Sequence, residues 1–544
     1  LVAIWLLVDP RTPDLAAQVY RVGLFDHHGF AVWDEHWYAG HALPGYSLLF
    51  PPLASLLGLR VLAALSALAS VALFERLVLG VYGRSACWGA MWFAVAAVGD
   101  IWLGRLTFAL GITFAVAAVL ALVRGHPRWA VLLAALCAAA SPVAGVLLGL
   151  VALTHALARR SPRALVVLAL PAALVVVPLT LLFGEGGFEP FPTTSFAATV
   201  LVTLLFLWGL PPGQRLLRTG GVVYLLACGL TLAVHSPMGS NIERYAVLLA
   251  GPLLLCAAFA DRSSLGGGRG GVPRREDRFP GVPAEIEEPA GARSFGGVIG
   301  GRWTPALLVA LLGIAVFTLW GPVRETRAVA GNESTSASYY TPVLGFLARV
   351  EAPPGSPVRV EVPLTRSHWE AALMAPSVSL ARGWEKQLDT RYNDVLLEPG
   401  LTAGSYSKWL HEQAVSYVAL PDTPLDPSSA QEGRLIRRGL PYLRAVFRSR
   451  HWTVYAVRRP TPLLEGPGRL TSLGHDSFSL RADAPGKFLV RVRFTRYWTL
   501  TTGSGRISEA PGGWTYVTAN EPNQLHVAAR FSLARALGID GLVV

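Results

Sequence analysis

Apolar positions dominate the first 260 residues in nearly uncharged runs, and run lengths of roughly 20 residues match the hydrocarbon thickness of a bilayer. The runs are 1–8, 57–74, 86–99, 106–123, 129–158, 164–183, 196–210, 221–235 and 245–260, with a further one at 305–320. The fifth is too long for one crossing and carries Ser141-Pro142 at its centre, where proline's missing amide and ring clash break a helix. It is read as two short helices forming a hairpin, for a total of about ten or eleven spans. The first run begins in mid-stretch with no basic leader or small-residue cleavage pattern, so the expectation is a span whose start lies upstream. Beyond Trp320 the pattern turns mixed. Segments 359–363, 416–421 and 453–458 read as strands among helices at 341–350 and 405–414, an α/β or α+β unit. Residues 478–533 alternate apolar and polar positions between Gly, Pro and Asn turns, the pattern of an antiparallel β-sandwich.

The expected domains are a membrane domain over 1–260 with its first loop at 9–46, and a Gly/Arg-rich linker over 261–304. They continue with a last span over 305–320, an α/β module over 321–460 and a β-sandwich-like module over 461–544.

Composition agrees with a multi-pass membrane protein: 544 residues, 52% hydrophobic, 15% charged, with a mean hydropathy of +0.43. The net charge of +12 is scattered over short connections, which points to membrane topology and away from nucleic acid. With the hairpin in place, the connections 75–85, 124–128, 159–163, 211–219 and 261–304 fall on one side, and each is basic. That side is read as cytoplasmic, which puts the first loop and everything after Trp320 outside a bacterial plasma membrane. The cysteines Cys87, Cys137, Cys228 and Cys256 all lie in apolar runs, so no disulfide framework is expected.

The first loop, 9–46, holds Asp9, Asp14, Asp26, Asp34 and Glu35 with His27, His28, His36 and His41. Leu15, Val19 and Val22 repeat at helical spacing, predicting an amphipathic interfacial helix with Asp14 at its start. The histidines lack zinc-ligand spacing. Asp14 with a second carboxylate leaves an oxygen-ligated Mg²⁺ or Mn²⁺ open, and the cofactor requirement is otherwise unknown. The predicted topology gathers Asp100, Arg105, Glu185, Glu189, His235, Glu243 and Arg244 on the same side as this loop, a site by default for membrane-edge charges. In the soluble part, Arg382, Trp384, Gln387 and Asp389 lie close enough to hold a sugar by stacking and hydrogen bonds, and the last module, with Trp498 and Trp514 expected to be exposed, is read either as a carbohydrate binder or equally as a structural cap on the membrane domain.

An acidic first-loop residue (Asp14), a surface helix ending in Gly, the turn WDEHWYAG at 33–40, PGYSLLFPPL at 44–53, GRLTFALG at 104–111 and SPVAG at 141–145 resemble the GT-C superfamily of polyprenyl-phosphate-sugar-dependent glycosyltransferases. The match looks closest to the bacterial membrane branch labelled 6-pyruvoyl-tetrahydropterin-synthase-related. The resemblance implies a GT-C-like membrane domain that transfers a sugar from a lipid-linked donor to an envelope glycan or lipid. Within it Asp14 would act as base or metal ligand, with Glu35 as second candidate. Arg105 or Arg244 would hold the departing phosphate, and Asp34, His36, Glu243, Arg382 and Trp384 would contact substrate. Paired acids typical of the superfamily are missing next to Asp14. A transporter or flippase, and a non-catalytic envelope assembly protein, stand as alternatives.

Overall fold

The fold is that of a computed structural model in which residues 1–260, 304–351 and 357–538 are described. The predicted linker lies, except for Thr304, outside them.

A bundle of apolar helices fills the first half: α1 (Val2–Val8), α3 (Phe50–Leu57), α4 (Leu59–Tyr82), α5 (Cys87–Trp102), α6 (Leu106–Val123), α7 (Pro127–Ala140), α8 (Pro142–Arg159), α9 (Leu165–Phe183), α10 (Thr193–Gly209), α11 (Arg215–Ala233) and α12 (Glu243–Ala258). A later helix, α13 (Pro305–Val329), packs beside α10 and α12 and runs nine residues past the predicted span. Seven of the described helices are long and apolar enough to cross a membrane, and α7 and α10 are shorter apolar helices among them. Their surfaces are apolar on all sides. α4 buries Ala63, Ala67 and Phe74 while exposing Val61, Leu65 and Leu68, as expected where the solvent is lipid. Small residues allow close helix approach: Gly111 faces Ala144, Gly145 faces Ala138, and Gly251 meets the Trp92 ring.

The chain breaks at Ser141-Pro142 as predicted. Ser141 caps α8 by accepting from the Ala144 amide at 3.4 Å, and the backbone of Ala138 lies close to Gly145 across the turn.

The soluble half contains a five-stranded sheet of order β4-β3-β5-β7-β6, from β3 (Arg359–Glu361), β4 (Ser379–Leu380), β5 (Tyr417–Pro421), β6 (Leu443–Arg448) and β7 (Trp452–Val457). β3 pairs in parallel with β4 and β5, and the remaining pairs are antiparallel. Helices α14 (Ala337–Glu351), α15 (Lys386–Tyr392), α16 (Ala403–Glu412) and α17 (Ala430–Arg438) accompany it. Two four-stranded sheets follow, β12-β15-β10-β9 and β13-β14-β11-β8. Their strands are β8 (Leu464–Glu465), β9 (Gly468–Leu473), β10 (Ser477–Ala482), β11 (Gly486–Arg493), β12 (Trp498–Thr502), β13 (Gly505–Ala510), β14 (Trp514–Ala519) and β15 (Gln524–Ala529). Alternate residues Phe478, Leu480, Phe488, Val490, Val517, Leu525 and Val527 form the buried core of this sandwich. Trp498 and Trp514, expected to be exposed, are buried. Trp498 packs edge-on against Trp33 and Phe478, and Trp514 lies under the guanidinium of Arg493.

The first loop joins all three parts. Its helix α2 (Pro13–His28) is longer than the predicted 14–22 and is enclosed between the bundle and the soluble half, so almost every side up to Leu24 is buried instead of a single stripe. The short hairpin of β1 (Trp33–Asp34) and β2 (His41–Ala42) turns through Tyr38 and Ala39, both left-handed, and Gly40 at φ +128°, where any side chain would strike the Trp33 ring. Trp33 enters the sandwich core. Ala39 accepts from the Arg493 amide at 2.7 Å, and His36 accepts from the Leu380 amide at 2.9 Å.

Candidate functional site

Asp14 stands in the first turn of α2, where the helix dipole favours a carboxylate. Two contacts fix it against the turn between α5 and α6. The Thr12 hydroxyl donates to the Trp102 carbonyl at 2.9 Å, and Gly104, at φ +83°, lies against the backbone of Asp14 and Leu15. This close approach brings in Arg105, whose guanidinium lies 3.5 Å from Asp14 and 3.7 Å from Asp100. Those are ion pairs longer than hydrogen bonds. Asp100 is 2% exposed, and neither of its carboxylate oxygens, nor Nε of Arg244, makes a hydrogen bond to any of the described residues. Buried polar groups are ordinarily satisfied, so this cluster is built for something beyond packing.

Arg244 joins from the start of α12, in electrostatic range of Arg105, Asp14, Asp100 and the Tyr46 hydroxyl. Glu243, the first residue of α12, is in electrostatic range of Arg105, Arg244 and Arg324. Glu189, in the α9–α10 connection, accepts from the Ser240 hydroxyl at 3.0 Å; burial pushes its carboxyl above the ordinary range, opposed by Lys386 and Arg244. Lys386 opens α15, so the α/β module overhangs the cluster. Tyr46 accepts from the Gln18 amide at 2.6 Å and lies under the guanidinium of Arg21, which also pairs with Glu385.

Arg244 and Tyr245 also line a cavity of 320 Å³ enclosed by α4, α6, α8, α11 and α12. Its walls are apolar, with Phe74, Phe108, Ile112, Leu147 and Leu249, and it continues to Thr154 and His155 near the far end of α8. The cluster is thus a charged head on an apolar slot.

A divalent ion fits these residues poorly. The Arg105 guanidinium sits between Asp14 and Asp100, where a bridging cation would have to lie, and among the described residues no three His, Cys, Asp or Glu side chains converge as ligands.

Of the predicted site residues, the structure brings together Asp14, Arg105, Glu243 and Arg244. It places Asp34, Glu35 and His36 elsewhere, in the buried joint between the first loop and the soluble half. Asp34 accepts from the Tyr20 hydroxyl at 2.8 Å and pairs with His475 at 3.0 Å. Burial would raise its carboxyl, but the hydrogen bond from His475 and the fields of His41, His475 and His36 hold it at about 2. Burial, reinforced by His475, pushes the His36 ring down to about 4, with its Nδ1 bonded to the Ala375 carbonyl. Glu35 is fully buried, 3.4 Å from the equally buried Arg359; burial raises its carboxyl despite that partner. Glu35 is thus closed to solvent in this structure, whereas the Asp14 side chain is 35% exposed.

Arg382 and Trp384 are engaged with neighbours inside the α/β module. Arg382 is 2% exposed and committed to Asp389 at 3.0 Å and to Ser429 and Glu432, because it neutralises a buried acidic group in the module core. Trp384 stacks on His368 with ring centres 3.5 Å apart.

Lys386 and Tyr46 were not among the predicted site residues. Lys386 had one signal: in this arginine-rich chain lysine recurs only at Lys408 and Lys487.

No protein-family profile matches the chain, and neither does any curated protein. Among solved structures, the cryo-EM structure of arabinofuranosyltransferase AftD from Mycobacteria aligns over 96% of this chain and 56% of its own, at 14% identity and a TM-score of 0.42. A mutant form of the same protein aligns over 96% and 57%, at 14% identity and a TM-score of 0.43. The chain therefore spans little more than half the length of that protein.

Proposed function

We propose that this chain is a membrane glycosyltransferase of the GT-C kind that moves a sugar from a polyprenyl-phosphate donor to a cell-envelope glycan or lipid, on the outer face of the membrane. The observation that carries the reading is that Arg244, in electrostatic range of the Asp14–Arg105 pair, lines an apolar cavity running into the bundle. A lipid phosphate has that polarity: its isoprenoid tail fits an apolar slot, and its phosphate fits two guanidinium groups.

In this reading the acceptor hydroxyl attacks the anomeric carbon, the bond from that carbon to the phosphate oxygen breaks, and Asp14 takes the hydroxyl proton. Arg105 and Arg244 hold the charge that develops on the leaving phosphate, in a setting where burial strengthens each interaction. Asp100 orients Arg105 from its other side. Lys386 and Glu189 flank the acceptor's approach under the α/β module. The basic connections at the opposite end of the bundle support an outward orientation for this cluster.

The test is a photoreactive polyprenyl-phosphate sugar bound to the purified full chain, followed by mapping of the labelled residues. Labelling at Phe108, Ile112 or Leu249 that is lost in Arg244→Gln supports the site. Labelling elsewhere, or labelling indifferent to Arg244, overturns it. The cavity's continuation to His155 also suits a protein that moves lipid-linked sugars across the bilayer; donor movement between leaflets without sugar transfer would favour that second reading.

A further inference from the structure

The β-sandwich touches the bundle at the end of α9. The Tyr497 hydroxyl donates to the Leu182 carbonyl at 3.0 Å, and the rings of Phe183, Tyr497 and Phe531 pack together with centres 5.4 to 5.9 Å apart. Helix α9 is a candidate membrane span whose Leu174, Val177 and Leu181 are among the exposed apolar side chains, the last at 70% exposure. Phe531 therefore lies level with the last turn of a membrane helix, and it is itself half exposed. The short helix α18 (Leu533–Ala536) follows at once and sends out Leu533 and, just past its end, Leu537, each 61% exposed. Three large apolar side chains thus continue the lipid-facing surface of α9 onto a module that is otherwise water-facing.

Beside them is a cavity of 500 Å³ lined by Thr495, Arg496, Thr499, Arg506 and Arg535. Arg535 is held by the Trp498 carbonyl and the Thr499 hydroxyl, and Arg496 donates to the Ala536 carbonyl at 3.1 Å, so the arginines and α18 form one structure. Guanidinium and hydroxyl donors suit a phosphate, and the apolar rim suits the acyl region next to it.

We propose that this end of the sandwich is a lipid-binding surface. Phe531, Leu533 and Leu537 enter the interfacial zone of the bilayer spanned by α9, and the arginine-lined cavity receives the phosphate of an anionic lipid from the same leaflet. The surface tethers the sandwich to the membrane and so holds the soluble half over the bundle.

The test uses the full chain in nanodiscs, with Cys87→Ala to remove the one partly accessible native thiol. Leu533→Cys and Leu537→Cys each carry an environment-sensitive fluorophore, and lipids brominated on the acyl chain serve as quencher. Leu181→Cys is the membrane reference, and Glu521→Cys, at the opposite end of β15, is the aqueous one. Quenching at 533 and 537 near that of 181 is expected; quenching as weak as at 521 overturns the insertion. For the headgroup, the double variant Arg496→Gln/Arg506→Gln is compared with the parent for phosphatidylglycerol retained through purification. A severalfold loss of phosphatidylglycerol with phosphatidylcholine unchanged, and no displacement by inorganic phosphate, is expected. Equal retention, or displacement by inorganic phosphate, overturns the lipid assignment.

Discussion

Gly104→Ala probes how the site is assembled, because Gly104 is where the bundle turn meets the start of α2. At φ +83° an added Cβ is strained by about 1–2 kcal/mol whatever surrounds it. It would also lie 2.7 Å from the Leu15 Cα and closer still to the Leu15 amide, whereas ordinary contact begins at 3.4 Å. The obstacle is backbone, so it cannot rotate away, and α2 must retreat by about 0.7 Å or more. The Asp14–Arg105 pair, already 3.5 Å long, opens by a similar amount. A misplacement of about 1 Å at a reacting group costs on the order of 100-fold in rate. Gly125→Ala supplies the control: Gly125 also has positive φ, +77°, but nothing lies within 4 Å of its would-be Cβ, at the other end of α6. The assay pairs thermal unfolding with sugar transfer in detergent. Gly125→Ala is expected to show the strain cost alone with normal transfer, and Gly104→Ala a larger loss of stability with transfer down ~10- to 100-fold. Equal behaviour of the two variants would refute the account of how Asp14 is positioned.

The joint around His36 makes a pH prediction. The folded state keeps the ring near 4 against an ordinary 6.5, so its contribution is complete above 6.5 and is lost as pH falls toward 4, by about 3 kcal/mol. The difference in unfolding free energy between wild type and His36→Gln should shrink over that window, and a pH-independent difference would count against it. Arg359→Met leaves Glu35 buried and unpaired and is expected to cost about 3–5 kcal/mol in chemical denaturation, while Glu35→Gln costs less and preserves transfer. Arg244→Gln should lower kcat/KM by about 100-fold or more with little change in unfolding midpoint; an effect on stability alone would make Arg244 a packing residue.

The bundle was legible in the sequence because lipid imposes a simple rule, long uncharged runs, and the Ser141-Pro142 break is written in residue chemistry. The strands at 359, 417 and 452 were legible from their runs of Val and Tyr, and the sandwich from its alternation, since one face of its strands is buried. Roles inside the first loop were not. Asp14, Asp34 and Glu35 are acids within one short segment, and nothing local says that Asp14 turns toward Arg105 while Glu35 turns under Arg359, more than three hundred residues away. The same long-range pairing hid Lys386 and the partners of Arg382, since Ser429 and Glu432 arrive from a different helical segment. Trp498 and Trp514 misled because alternation identifies which residues share a face but not which face is covered by another part of the chain.

The central claim is that Asp14 takes the acceptor's proton at the head of the lipid slot. The most direct measurement is transfer of labelled sugar from polyprenyl-phosphate donors to membrane acceptors by the purified full chain, comparing wild type, Asp14→Asn and Glu35→Gln at equal folded protein. The account predicts transfer by wild type and Glu35→Gln, and its collapse in Asp14→Asn with donor binding retained. Full transfer by Asp14→Asn, or its loss in Glu35→Gln alone, would contradict it.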